Sequence, residues 1–90
     1  MLEAVKTALG IKANAFDAEF EMLIASAIAD LAQVGIMVFE DTDPLIITAV
    51  SCYCQANRGT DTDRRLNYQK MYTTKKRNLM LDSRYTGDLL

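Results

Sequence analysis

The 90 residues include no histidine, no tryptophan and a single proline, Pro44. Without histidine the commonest general base and the commonest metal ligand are missing, so most familiar catalytic and metal sites are excluded. The lack of tryptophan removes one frequent aromatic platform. Cys52 and Cys54 are the only thiols, and at i, i+2 on a helix they point about 200° apart, too divergent to bridge each other or share a metal. They are expected to be reduced and structural, as in a reducing compartment. Long apolar runs are lacking as well: Leu45 to Val50, with Thr48 inside, falls far short of the roughly 20 residues that span a bilayer. Glu3 and Lys6 interrupt the start, where a secretory leader would be apolar. A soluble intracellular protein with no membrane partner is expected.

What the chain does contain is enough apolar material, 50% of its residues, for one core, and too little length for two. Its net charge of −2 conceals a division. Residues 1–63 hold three cations, Lys6, Lys12 and Arg58, against ten Asp and Glu, net −7; residues 64–90 hold seven cations against Asp82 and Asp88, net +5. If the acidic front and the basic end occupy opposite flanks, identical copies are complementary head to tail. Such a heterologous contact repeats into a ring or a filament.

Apolar periodicity predicts an all-α chain, a small four-helix bundle. Leu2, Val5 and Leu9 form the stripe of a short first helix that Gly10 ends. Phe20, Leu23, Ile24, Ala27, Ile28, Leu31 and Ala32 form one continuous helical face from about Phe16 to Val34, roughly 28 Å long at 1.5 Å per residue. Asp17, Glu19 and Glu21 sit at its N-terminal end, where the helix dipole favours them, and Gly35 follows it. Ile36 to Phe39 is expected as an extended segment over the core. Asp43-Pro44 then combines a side-chain cap with a proline at the first helical position. The third helix runs to about Arg58, apolar over more than half its circumference. A fourth, long and basic, runs from the Asp61 region to about Leu81, with Tyr68, Tyr72 and Leu79 as a thin stripe. Residues 1–81 are thus read as one helical domain, and 82–90, aperiodic and containing Gly87, as a tail ordered by a partner.

Candidate chemistry is sparse. Asp61-Thr62-Asp63 lacks the glycine and the bidentate glutamate of a calcium loop, so it reads as helix capping. Glu19 with Glu21, and Glu40, Asp41 and Asp43, lie in exposed or capping contexts and are not read as an acid/base pair. No catalytic, cofactor or metal residues are assigned. The cluster Arg64, Arg65, Lys70, Lys75, Lys76 and Arg77, interleaved with Tyr68 and Tyr72, is either a solvated face or a contact surface. Protein contact is favoured over DNA because the acidic body beside it repels phosphate. A small helical DNA-binding or regulatory protein is the alternative, and it requires this basic face to meet DNA.

The run Val5-Lys6-Thr7-Ala8-Leu9-Gly10-Ile11 is followed by Phe16-Asp17 opening a helix through Leu23-Ile24-Ala25-Ser26-Ala27 to Gly35. Asp43-Pro44-Leu45-Ile46 then leads through Tyr53 to Asn57-Arg58-Gly59, and Leu81-Asp82-Ser83-Arg84-Tyr85-Thr86 closes the chain. This order resembles the small head-tail connector proteins of long-tailed phages and prophages, often labelled DNA-packaging or head-completion proteins. The resemblance implies a non-enzymatic virion protein, assembled in the host bacterial cytoplasm. It implies a homo-oligomeric ring of about a dozen copies under the portal. Such a ring meets a downstream stopper or tail-completion protein and passes DNA through its lumen without sequence-specific binding. Carried to this chain, it assigns Arg64, Arg65, Tyr68, Tyr72, Lys75, Lys76, Arg77, Arg84 and Tyr85 to portal or subunit contact. Glu40, Asp41 and Asp43 are assigned to a lumen or downstream surface.

Overall fold

Asp43 and Pro44 start the central helix as the sequence predicts. The Asp43 carboxylate accepts from the backbone N–H groups of Leu45 at 2.9 Å and Ile46 at 3.4 Å, and Pro44 fills a position that needs no N–H. In the computed structural model, which describes residues 1–37 and 40–87, this helix is the third of five. The elements are α1 (Leu2–Leu9), α2 (Asp17–Gln33), α3 (Pro44–Ala56), α4 (Thr62–Met80) and α5 (Ser83–Thr86), with no strand among the described residues. The chain is an all-α bundle in which α3 packs against α1, α2 and α4, while α5 packs on α4.

Its apolar residues explain the central place of α3. Ile46, Ala49, Val50 and Cys54 are fully buried, and Cys52 nearly so. Toward them α2 turns Phe20, Ile24, Ala27 and Leu31, α1 contributes Val5, and α4 brings Tyr72 and Leu79. Both thiols are free. Burial pushes the Cys54 thiol up to about 11, so it stays protonated and unreactive near neutrality.

The end of α2 shows how a short sequence signal fixes a turn. Gly35 adopts φ 88°, its N–H donates to Ala32 O, and the N–H of Ile36 reaches back to Leu31 O at 3.0 Å. That pair of bonds is a Schellman closure, and its apolar partners Leu31 and Ile36 are both fully buried. Of the extended segment expected at 36–39, Ile36 does lie in the core; Val38 and Phe39 fall outside the described residues.

Two features beyond the sequence reading bear on function. First, the stretch read as a tail from Asp82 forms α5, capped by Asp82 through the N–H of Arg84 at 3.0 Å and ended by Gly87 at φ 64°. A single turn is too short to show periodicity, and one residue, Tyr85, carries its burial. Residues 88–90 of that expected tail lie outside the described residues. Second, Lys6 is buried, 3% exposed, where its ammonium meets Asn14 Oδ1 and Asp17 Oδ1, each at 2.8 Å. It ties α1 to the start of α2 and is therefore unavailable as a surface cation.

Candidate functional site

The thin stripe read on the basic helix α4, Tyr68, Tyr72 and Leu79, is the side it turns to the core, with Tyr68 only partly buried. Tyr72 and Leu79 are buried, and the Tyr72 ring meets the Tyr53 ring edge-on at 5.2 Å between centroids. The Tyr72 hydroxyl donates to Asp30 Oδ2 on α2, and Lys76 Nζ reaches the same oxygen at 3.0 Å. Burial alone would push the Asp30 carboxyl up. The hydrogen bonds from Tyr72 and Lys76, with the lysine's charge, outweigh it and hold the carboxyl below its usual range. Burial, reinforced by the neighbouring Asp30, pushes the Tyr72 phenol well above its ordinary value. This junction fastens α4 to α2.

The remaining cations divide by partner. Arg65 donates from Nε to Ala56 O at the end of α3, and Arg64 lies over the Tyr68 ring at 5.7 Å. Arg84 pairs with Asp82 at 2.7 Å. Among the described residues Arg64, Arg65, Lys70, Lys75 and Arg77 form no ion pair, so the charge division read in the sequence survives internal pairing. Just past the same end of α3, Arg58 pairs with Glu19 at 2.7 Å and lies over Phe20 at 4.5 Å, which neutralises one acidic residue of the front half.

A second cluster forms where α5 returns to the start of α3. The Tyr85 hydroxyl donates to Asp43 Oδ2 at 2.7 Å while the other oxygen of that carboxylate caps α3. The N–H of Met37 donates to Tyr85 O at 2.8 Å. The hydrogen bond from Tyr85, foremost, and those from the α3 backbone hold the Asp43 carboxyl below its ordinary value despite some burial. Beside this latch lies an open depression of about 620 Å³ lined by Glu40, Thr42, Asp43, Pro44, Leu45, Arg84 and Tyr85. Tyr85 and Arg84 were assigned to the portal or subunit side and Glu40 and Asp43 to the lumen or downstream side. The fold brings these four residues together at one place.

Tyr72 and Tyr85, both assigned to contact with other chains, spend most of their surface inside this one, at 3% and 5% exposure. The sequence contained no local signal for the bonds that bury them, because Tyr72–Asp30 and Tyr85–Asp43 are each separated by 42 residues. Tyr85→Phe is expected to cost about 1 kcal/mol, the net worth of one such hydrogen bond, read by urea denaturation. Since the Asp43 carboxyl is depressed in the folded chain, its contribution is complete above its unfolded value near 4. It fades as the pH falls through the folded value, so the Tyr85→Phe penalty should shrink on acidification below about pH 4.

Among the described residues no three His, Cys, Asp or Glu side chains gather as metal ligands, and no helix is long and apolar enough to cross a membrane. What the surface offers is a set of unpaired cations on one helix, unpaired carboxylates elsewhere, and an apolar core sealed by long-range bonds. That combination defines a small all-α bundle with charged outer faces. The family model for phage connector protein matches residues 1–86, and the chain belongs to that family. It is a phage connector-type structural protein, a virion component whose family implies interaction with other virion proteins such as the portal. No curated protein and no solved structure gives a significant match.

Proposed function

We propose that the chain is a head-tail adaptor: copies of it form a ring under the portal, extend the DNA channel and join the capsid to the tail. The observation that supports this reading is the set of α4 cations left without carboxylates, set against Glu3, Glu21, Glu40 and Asp41, which have no cationic partner among the described residues. Complementary charge left unused within one copy suits contacts between copies and with a neighbouring ring. Arg64, Lys75 and Arg77 are the cations offered to such contacts. The latch region, where the exposed Glu40 and Arg84 line one depression, is offered to the portal or to the downstream stopper or tail-completion protein. DNA then passes without sequence-specific binding, because an acidic wall lets phosphates slide by without adhering.

Size-exclusion chromatography with light scattering, before and after mixing with a purified portal ring, tests the reading. Co-elution of many copies with the portal is expected. A chain that ignores the portal and instead binds duplex DNA with a steep salt dependence would move the assignment to a small DNA-binding protein acting through α4.

A further inference from the structure

Helix α2 is apolar on two opposite sides. Phe20, Ile24, Ala27 and Leu31 face the core, while Ala18, Met22, Ala25, Ala29 and Ala32 on the other side are exposed, Met22 at 73%. A helix with apolar residues on two opposite sides buries only one of those sides within a single copy. The outward side of α4 carries a second unpartnered stripe: Leu66, Lys70, Thr73, Arg77 and Met80, all exposed, with Leu66 at 54%. Both stripes advance by four, three, four and three residues, the spacing of a coiled-coil seam, and both extend about 21 Å. Four of the five α2 residues are alanines, which let a helix come close, and four of the five on α4 are long side chains that would fill the space over them.

Within one copy the two stripes cannot meet, since each lies on the side of its helix away from the core. Charge selects the occupant. Lys70 and Arg77 stand within the α4 stripe without an ion pair among the described residues, and Glu21, on the shoulder of the α2 stripe, has none either. Antiparallel alignment sets Met80 against Ala18, Arg77 beside Met22 and Glu21, and Thr73 against Ala25. It also brings the C-terminal end of α4 to the N-terminal end of α2, where the two helix dipoles attract.

We infer that the outward stripe of α4 in one copy packs antiparallel on the outward stripe of α2 in the next copy. The contact uses different surfaces on its two sides, so it leaves each copy with one stripe free and repeats. It rests on the adaptor reading for its place in the virion, but the pairing itself is a property of this chain.

Paired cysteines test it directly. Ala25→Cys with Thr73→Cys, both at exposed positions, should give a ladder of covalent multimers under mild oxidation of the full chain at high concentration or on a portal ring. Each single variant should give none, because Cys52 and Cys54 are buried. Ala29→Arg, which places a cation on the α2 stripe opposite Lys70, should weaken assembly at least about tenfold while leaving the helical content unchanged. Many copies on the portal without a ladder, or with Ala29→Arg assembling normally, would overturn the pairing and leave the adaptor reading standing. A ladder in the free chain with no portal binding would support the pairing and count against the adaptor reading. No ladder under either condition overturns the pairing.

Discussion

Tyr72→Ala is expected to destabilise the chain by about 3–5 kcal/mol, the range for emptying a buried aromatic site. The side chain is almost fully buried, packs edge-on against Tyr53 and donates its hydroxyl to Asp30, so one truncation opens a cavity and removes a bond between α2 and α4. A domain of this size has roughly 5–15 kcal/mol in all, and at about 4–8 °C per kcal/mol its melting temperature should fall by upward of about 12 °C. Tyr72→Phe keeps the ring and removes only the hydroxyl. It should cost about 1–2 kcal/mol, because Lys76 still holds Asp30. Thermal unfolding followed by circular dichroism checks both. Equal losses in the two variants would mean that the hydroxyl, and not the packing, carries the site.

Asp43→Ala should have the next largest effect, about 2–4 kcal/mol. One carboxylate oxygen caps α3, and losing such a cap costs about 1 kcal/mol. The other accepts from Tyr85, and a largely buried hydroxyl left without its acceptor costs about 1–3 kcal/mol. The two losses have different addresses, which makes them separable by hydrogen exchange. Faster exchange at Leu45 and Ile46 reports the cap, and faster exchange at Met37 reports release of α5, whose carbonyl at Tyr85 holds that amide. Asp43→Asn retains one acceptor oxygen and should lie between the wild type and Asp43→Ala. If Asp43→Ala leaves Met37 as protected as before, α5 is held by packing alone and the latch has no part in it.

The same two residues show where sequence reasoning reaches its limit. Helix faces, the Asp43-Pro44 start and the glycine ends were legible because each is a local pattern within a few residues, with a backbone reason behind it. The Tyr72–Asp30 and Tyr85–Asp43 bonds were not, since nothing in a neighbourhood of ten residues says which of eleven other carboxylates a phenol will find. The burial of Lys6 was not legible, because the apolar stripe of α1 says where the core is and not how far a long side chain can reach into it. Ala32 was placed on the core face of α2 and is exposed. Alanine scores as apolar on any side of a helix, and in α2 that blurred two distinct faces into one. The charge division fared better, because only Lys76 and Arg84 of the seven cations after residue 63 find carboxylates among the described residues.

On the adaptor reading, that surplus, together with the apolar outer stripe on α2, is the surface that neighbouring copies meet. Native mass spectrometry of a purified portal ring saturated with the chain measures this most directly, by counting copies. The account expects a closed layer of about a dozen copies per portal ring, with few partly filled rings at intermediate ratios because each copy helps to seat the next. One or two copies per ring, filling independently of each other, would contradict it.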